Sequence, residues 1–391
     1  MTNNLTDMSM KNIISLTIVT AVTSVALLLA PVAFVQSDTS QPKTQHTSEK
    51  RDISITRVTT GLNHPWSIAF LSASDWLVTE RSGSLRRVLD GQLQPEPIKG
   101  LPDVHATGQG GLLDVVLHPD FASNQLVYLS YTAKQGSNYG TEVARGVLVD
   151  NELRNLEIIF KALPKVRGGR HFGSRLAFDD RGYLYISLGD RGAKELAQEQ
   201  NKHIGTVIRL HDDGAIPKDN PFVNIAGVLP EIYSYGHRNV QGMVFDKKTK
   251  TLWTHEHGPQ GGDELNQVLS GQNYGWPIIT YGANYGSGTK IGEGTEKLGM
   301  LQPTTFWDPS IAPSGLAIVD GNRYPEWQGN LLVGSLKFQL IARLELKDNA
   351  VLSEERLVER DFGRIRDIRQ GPKGYLYFIT DADNGSIYRI E

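Results

Sequence analysis

Tyr183-Leu184-Tyr185-Ile186-Ser187-Leu188 follows the turn signal Asp180-Arg181-Gly182, and Val207-Ile208-Arg209-Leu210 comes after it. β-Branched and aromatic residues alternating with polar ones have the period of a strand. Asp and Gly in the turn supply the positive φ that a tight hairpin needs. The same unit occurs five more times: residues 76–80 with 85–88, 127–131 with 143–149, 252–256 with 265–268, 331–335 with 340–344, and 375–380 with 387–390. Spacings of about 45 to 80 residues are those of propeller repeats that carry insertions. Six copies predict an all-β fold, a six-bladed β-propeller of four-stranded antiparallel blades. Radial repetition hides the sheet edges that a lone hairpin exposes. Ile53-Ser54-Ile55-Thr56-Arg57-Val58 is apolar at alternate positions and is expected to join the last blade and close the ring. A β-sandwich pair also uses many short strands, but six similar units without a break favour the propeller.

Composition narrows the function. Of 391 residues, 39% are hydrophobic and 21% charged, which is globular. Lys plus Arg number 40 against 43 Asp plus Glu, a net charge of −3. No basic excess is present to hold a phosphate backbone, so nucleic acid is not an expected partner. Cysteine is absent, which excludes disulfides, thiolate metal sites and a Cys nucleophile. Lys11 precedes an apolar run over residues 13–35 that ends in small residues. Residues 1–36 therefore read as a signal peptide, and the protein as exported, in the periplasm. The run is also long enough to span a bilayer, so an uncleaved N-terminal anchor is the alternative, and only then is a membrane a partner. Residues 37–51, polar and rich in Ser, Thr and Gln, read as a disordered linker. Residues 52–391 are then a single catalytic propeller.

The chemistry-bearing residues sit in the loops, where propellers bind ligands. His171 follows two glycines, and an imidazole titrates near neutrality, as a general base must. Asp190 ends the next strand and could orient that imidazole; a surface His and a loop-capping Asp would look the same. Gly236-His237-Arg238-Asn239 offers a rigid donor fork and an amide, suited to a planar, oxygen-rich anion or to a structural ion pair. Lys337, Arg364 and Arg366 add cations at the ends of later blades; if they converge they imply a multiply charged ligand. His255 and His257 share one strand face and could form a metal pair, but a third ligand at useful spacing is missing. Gly258-Pro259, followed by Asp263-Glu264, offers hard oxygens suited to Ca²⁺, or is a plain Gly-rich turn. Gly108-Gln109-Gly110-Gly111 lacks the ending of a phosphate loop, and there is no serine nucleophile elbow.

In order and in combination, these motifs resemble the soluble pyrroloquinoline quinone (PQQ)-dependent sugar dehydrogenases, most nearly the aldose sugar dehydrogenase branch. The resemblance runs from about Gly61 to the C-terminus. Besides the stretches above it is carried by Leu188-Gly189-Asp190, Asn273-Tyr274-Gly275-Trp276-Pro277, Ala312-Pro313-Ser314, Ser335-Leu336-Lys337 and Arg364-Ile365-Arg366-Asp367. It implies that His171 is the base for the sugar C1 hydroxyl, that Asp190 holds it, and that the C1 hydride passes to C5 of PQQ. Arg238 would stabilise the oxygen that becomes negative there, with Asn239 binding the cofactor beside it. Lys337, Arg364 and Arg366 would pair with the cofactor's carboxylates, and Gln109 and Tyr285 would face the site. One Ca²⁺ would sit on the Gly258 and Pro259 carbonyls. A second, structural Ca²⁺ would use Glu264 with backbone oxygens of Tyr274 and Thr280. Ser310, where glucose-specific relatives carry a bulkier hydroxyl residue, and short loops over residues 282–301 imply a permissive monomer. The implied partners are an aldose and an unidentified electron acceptor. Two rivals are a Ca²⁺-dependent propeller lactonase, which would not need the three later cations together, and a non-catalytic binding propeller, which would not need His171, Asp190 and Arg238 at once.

Overall fold

The computed structural model describes residues 43–391. The segment read as signal peptide or anchor, and the start of the expected linker, lie outside the described residues. The hairpin units predicted from period-2 patterning are the second and third strands of six antiparallel sheets. The innermost strand of each sheet precedes its hairpin. These inner strands are Pro65–Phe70, Leu112–Leu117, Gly173–Phe178, Val240–Asp246, Pro313–Ile318 and Ile365–Gln370, which define blades one to six. Each packs against the next and the last against the first, so the ring is closed around a central channel.

Closure uses the N-terminal strand, as its alternation predicted. Asp52–Leu62 pairs with Gly385–Ile390 in blade six, with Ile55 opposite Ile390 and Thr56 opposite Arg389. The last residue is tied in as well: Glu391 N–H donates to Ser54 O at 2.8 Å. One expectation is corrected here. Of the linker placed at 37–51, Lys43–Thr47 is a fifth strand on blade six, paired with residues 52–56. A turn joins the two strands, in which Ser48 N–H donates to Arg51 O and Ser48 Oγ accepts the Lys50 and Arg51 N–H groups. The strand is the exposed edge of its sheet, so it is polar, and polarity without alternation reads as disorder.

The blades adhere through their faces. Trp253 and Leu265 of blade four meet Leu316, Val333 and Leu344 of blade five. Leu332 and Ile341 of blade five meet Ile368, Leu376 and Phe378 of blade six. Burying each such side chain contributes about 1.5–3 kcal/mol, which makes the frame stiff.

All six inner strands slip register near their N-terminal ends, between Pro65 and Ser67, Leu112 and Val115, Gly173 and Leu176, Val240 and Gly242, Pro313 and Leu316, and Ile365 and Asp367. A bulge turns a side chain that would have faced a neighbouring blade. Here one ring of bulges surrounds one mouth of the channel.

Candidate active site

That mouth is a cavity of about 180 Å³. Trp66, Leu113, Gln241 and Arg366, all at the bulges, line it together with residues of the inter-strand loops. The fold thus converts four register slips on four different blades into one surface.

His171 stands in the loop entering blade three, with φ +55°. The left-handed region costs an L-residue roughly 1–2 kcal/mol, so contacts must hold it there. Its N–H donates to Gln109 Oε1 at 2.7 Å, and its carbonyl accepts the Arg191 N–H. Gly189 must lack a Cβ, which would overlap the His171 carbonyl. His171 Nδ1 lies 2.6 Å from Asp190 Oδ1. An ionised carboxylate only accepts, so Nδ1 carries the proton and Nε2 keeps its lone pair. Burial holds the imidazole below its ordinary range; the Asp190 hydrogen bond opposes this and the Arg238 charge reinforces it. His171 is therefore neutral and basic at Nε2 near neutral pH. Asp190 also accepts from Gly192 N–H at 2.7 Å and from Trp276 Nε1 at 2.8 Å. Burial pushes its carboxyl up, but the His171 and Gly192 hydrogen bonds and the Arg238 charge outweigh it and hold it below the usual range.

Arg238 and Asn239 come alongside through the backbone. Asp190 N–H donates to Arg238 O at 2.8 Å, and Gly189 bridges to Asn239. Arg238 Nη1 donates to His257 O at 2.8 Å, and the guanidinium lies 5.3 Å from the Trp276 ring centroid. Its buried Nε has no partner. Burial lowers its pKa against the pull of Asp190, a sign of a cation held ready for a charge. Asn239 Oδ1 accepts the Gly173 N–H at 3.2 Å.

The later cations divide. Arg364 and Arg366 line the cavity, as does Arg81. Arg366 is pushed down to about 9, first by burial and then by Arg175, and its Nε is unpartnered. Lys337 is exposed, with Nζ 5.1 Å from the Phe338 ring, and does not line the cavity. Tyr285 is 69% exposed and likewise lies outside the lining. Gln109 belongs to it.

A smaller recess beside Arg238 gathers Gly258, Glu256, Glu264, Tyr274 and Thr280. Burial, with Glu256 next, pushes the Glu264 carboxyl well above the usual carboxylate range. Asn266, which donates to both carboxylates, keeps a buried Oδ1 without a partner. Facing carboxylates, an orphaned amide oxygen and backbone carbonyls are the donors a hard cation takes. A Cβ on Gly258 would overlap the carbonyls of Gly261 and Gly262, so this turn, which includes Pro259, packs oxygens closely. Among the described residues no group of three or more His, Cys, Asp or Glu gathers as metal ligands. His255 and His257 are no metal pair: each Nε2 bonds a backbone carbonyl, of Gly315 and Pro313.

The sequence reading missed His64, Trp66, Arg81, Gln241 and Asp381. Asp381 accepts from Arg364 Nε at 3.1 Å, and its Oδ1 lies 2.7 Å from His64 Nδ1. Gln241 stands two residues beyond Asn239, and Trp66 two beyond His64; scanning for breaks in strand period would have exposed both.

A family model described as Glucose / Sorbosone dehydrogenase matches residues 62–389. An aldose sugar dehydrogenase of Escherichia coli is 43% identical over 335 residues, covering 84% of this chain and 90% of the relative. A crystal structure of a glucose dehydrogenase superposes with TM-score 0.84 at 46% identity, covering 86% of this chain and 98% of that one. A PQQ-bound aldose sugar dehydrogenase from Streptomyces coelicolor superposes with TM-score 0.72 at 28% identity, covering 88% and 100%.

Proposed function

The chain belongs to the glucose/sorbosone dehydrogenase family, and we propose that it oxidises aldose sugars at C1 to aldonolactones with PQQ as cofactor. The observation that carries this is the His171–Asp190 pair, held by Gln109 and followed in the chain by Phe172 and Gly173, all three of which line a cavity with more cations than carboxylates. PQQ is planar and carries three carboxylates. Arg364 and Arg366, the unpartnered Nε of Arg366 and the indole of Trp66 suit such a group. When bound, the quinone supplies the two-electron acceptor for the sugar C1 hydride.

His171 Nε2 takes the proton of the C1 hydroxyl, and Asp190 stabilises the imidazolium that results. Arg238 holds positive charge beside the reacting centre, in a site where burial strengthens it. Asn239 and Gln109 orient what binds there. Carbonyls of Gly258 and Pro259 would hold a Ca²⁺ acting as Lewis acid; Glu264, Tyr274 and Thr280 would hold a second, structural one. The N-terminal 36 residues act as export signal to the periplasm, or as anchor. The short loops over residues 282–301 favour a working monomer. An external electron acceptor completes the cycle.

The test is His171→Gln. Turnover is expected to fall by about 10²–10⁴-fold, with PQQ titration unchanged. Unchanged turnover contradicts the assignment.

A further inference from the structure

We propose that Gln241 is a positioning residue that sets the donor pattern of the cavity by fixing Asn239 and Arg366 together; this rests on reading the cavity as a PQQ site. Two groups whose chemistry admits no ambiguity bracket it. At one end, the Gly173 backbone N–H can only donate, and Asn239 Oδ1 accepts it at 3.2 Å. At the other, the Arg366 guanidinium can only donate, and Gln241 Oε1 accepts from its Nη2 at 2.8 Å. Both amide orientations follow. Gln241 Nε2 is then the donor that reaches Asn239 Oδ1 at 3.2 Å and Gly173 O at 3.3 Å.

The consequence is directional. With Asn239 Oδ1 occupied by two N–H groups, Asn239 is left to offer Nδ2, a donor, to the cavity that it lines. With one Arg366 Nη taken by Gln241, the rest of the fork remains for a ligand. The cavity wall thus presents donors on both sides of Gln241, the pattern an oxygen-rich anion requires.

Gln241 is itself held rigidly. It is the extra residue of the bulge between Val240 and Gly242, and its carbonyl accepts from Arg175 Nε at 2.6 Å. Arg366 occupies the matching bulge of blade six and lies 4.5 Å from the Trp66 ring centroid. Glutamate at this position could accept from Arg366 but could not donate to Asn239. Methionine could do neither.

The experiment compares wild type, Gln241→Glu, Gln241→Met, Asn239→Ala and the Asn239→Ala/Gln241→Met double variant. PQQ affinity is read by fluorescence titration, and apo-protein stability by urea unfolding. PQQ Kd is expected to rise about tenfold in Gln241→Met and further in Gln241→Glu, whose apo stability stays near wild type. The double variant should lose less PQQ affinity than the product of the two single losses, exceeding Asn239→Ala only by the release of Arg366, and the apo stabilities of the pair should be non-additive. Wild-type affinity in Gln241→Glu, multiplicative losses in the double variant, or stability falling in parallel with affinity in both Gln241 variants would overturn the inference. Wild type that fails to bind PQQ overturns the functional reading instead. The apo cycle then still decides on Gln241, since additive stabilities would mean that it joins nothing.

Discussion

The central channel holds two sets of arginines that differ in what answers them. One residue further along the inner strands from Leu113 and Arg366, Asp114 and Asp367 face Arg175 and Arg369, two carboxylates for two guanidiniums. The contacts are close: Arg369 Nη2 to Asp114 Oδ1 at 2.8 Å, Arg369 Nε to Asp367 Oδ2 at 2.9 Å, Arg175 Nη2 to Asp367 Oδ1 at 3.0 Å. At the mouth, Arg81, Arg364 and Arg366 share the cavity with one carboxylate, Asp381. Burial alone would lower the pKa of both Arg369 and Arg366. At Arg369, Asp367 and Asp114 outweigh burial and the pKa is raised, while at the fully buried Arg175 burial outweighs the same two carboxylates and the pKa is lowered. At Arg366, Arg175 adds to burial, and the pKa falls to about 9. Matched charge in the channel holds blades together; unmatched charge at the mouth awaits an anion.

The comparison breaks first at its structural half. Arg175→Met leaves Asp114 and Asp367 buried with one cation fewer, and is expected to cost about 3–5 kcal/mol in urea unfolding. A loss below about 1 kcal/mol would mean that the channel network is incidental. Arg366→Met should do the reverse. Stability should fall far less than in Arg175→Met, because a poorly answered buried cation is removed and only its hydrogen bond to Gln241 Oε1 is lost, while PQQ affinity falls by about 1.5–3 kcal/mol for a charged hydrogen bond lost. Equal destabilisation by the two substitutions would erase the distinction. Lys337→Ala sharpens it further. Lys337 is exposed, so its effect on PQQ affinity should be smaller, about 1 kcal/mol or less. A loss matching that of Arg366→Met would show that the side chain swings into the cavity on binding.

The pH profile reads the same electrostatics at the catalytic edge. His171 is held below its ordinary value of 6.5, so the acid limb of kcat/KM should fall below that pH. Asp190 favours the imidazolium, so removing its charge lowers the His171 pKa again. Asp190→Asn should therefore move the acid limb to lower pH while reducing the plateau. An acid limb that moves upward would contradict the assigned pairing.

The sequence showed blades but not their inner edges. The hairpin strands such as Leu184–Leu188 keep a readable apolar pattern, because they are buried on both faces between neighbouring blades. The inner strands lose it, because each bulge reverses the alternation where the channel begins. That is why His171, Asp190, Arg238 and Asn239, in loops marked by glycines, could be read as a site directly, while Trp66 and Gln241 show only as breaks in the strand period. Lys43–Thr47 escaped for a related reason: an exposed edge strand buries too little to show a period. Convergence was likewise hidden. Arg364 and Arg366 stand nearly 200 residues beyond His171 in the chain, and only ring closure brings their blade back beside blade one.

The most direct measurement adds PQQ and Ca²⁺, together and singly, to the purified apo-protein and follows aldose-dependent reduction of a dye, with glucose and a panel of other aldoses. Turnover that requires both additions is the predicted result. Failure to bind PQQ at all would contradict the account, and would leave the unmatched arginines of the mouth to some other anion.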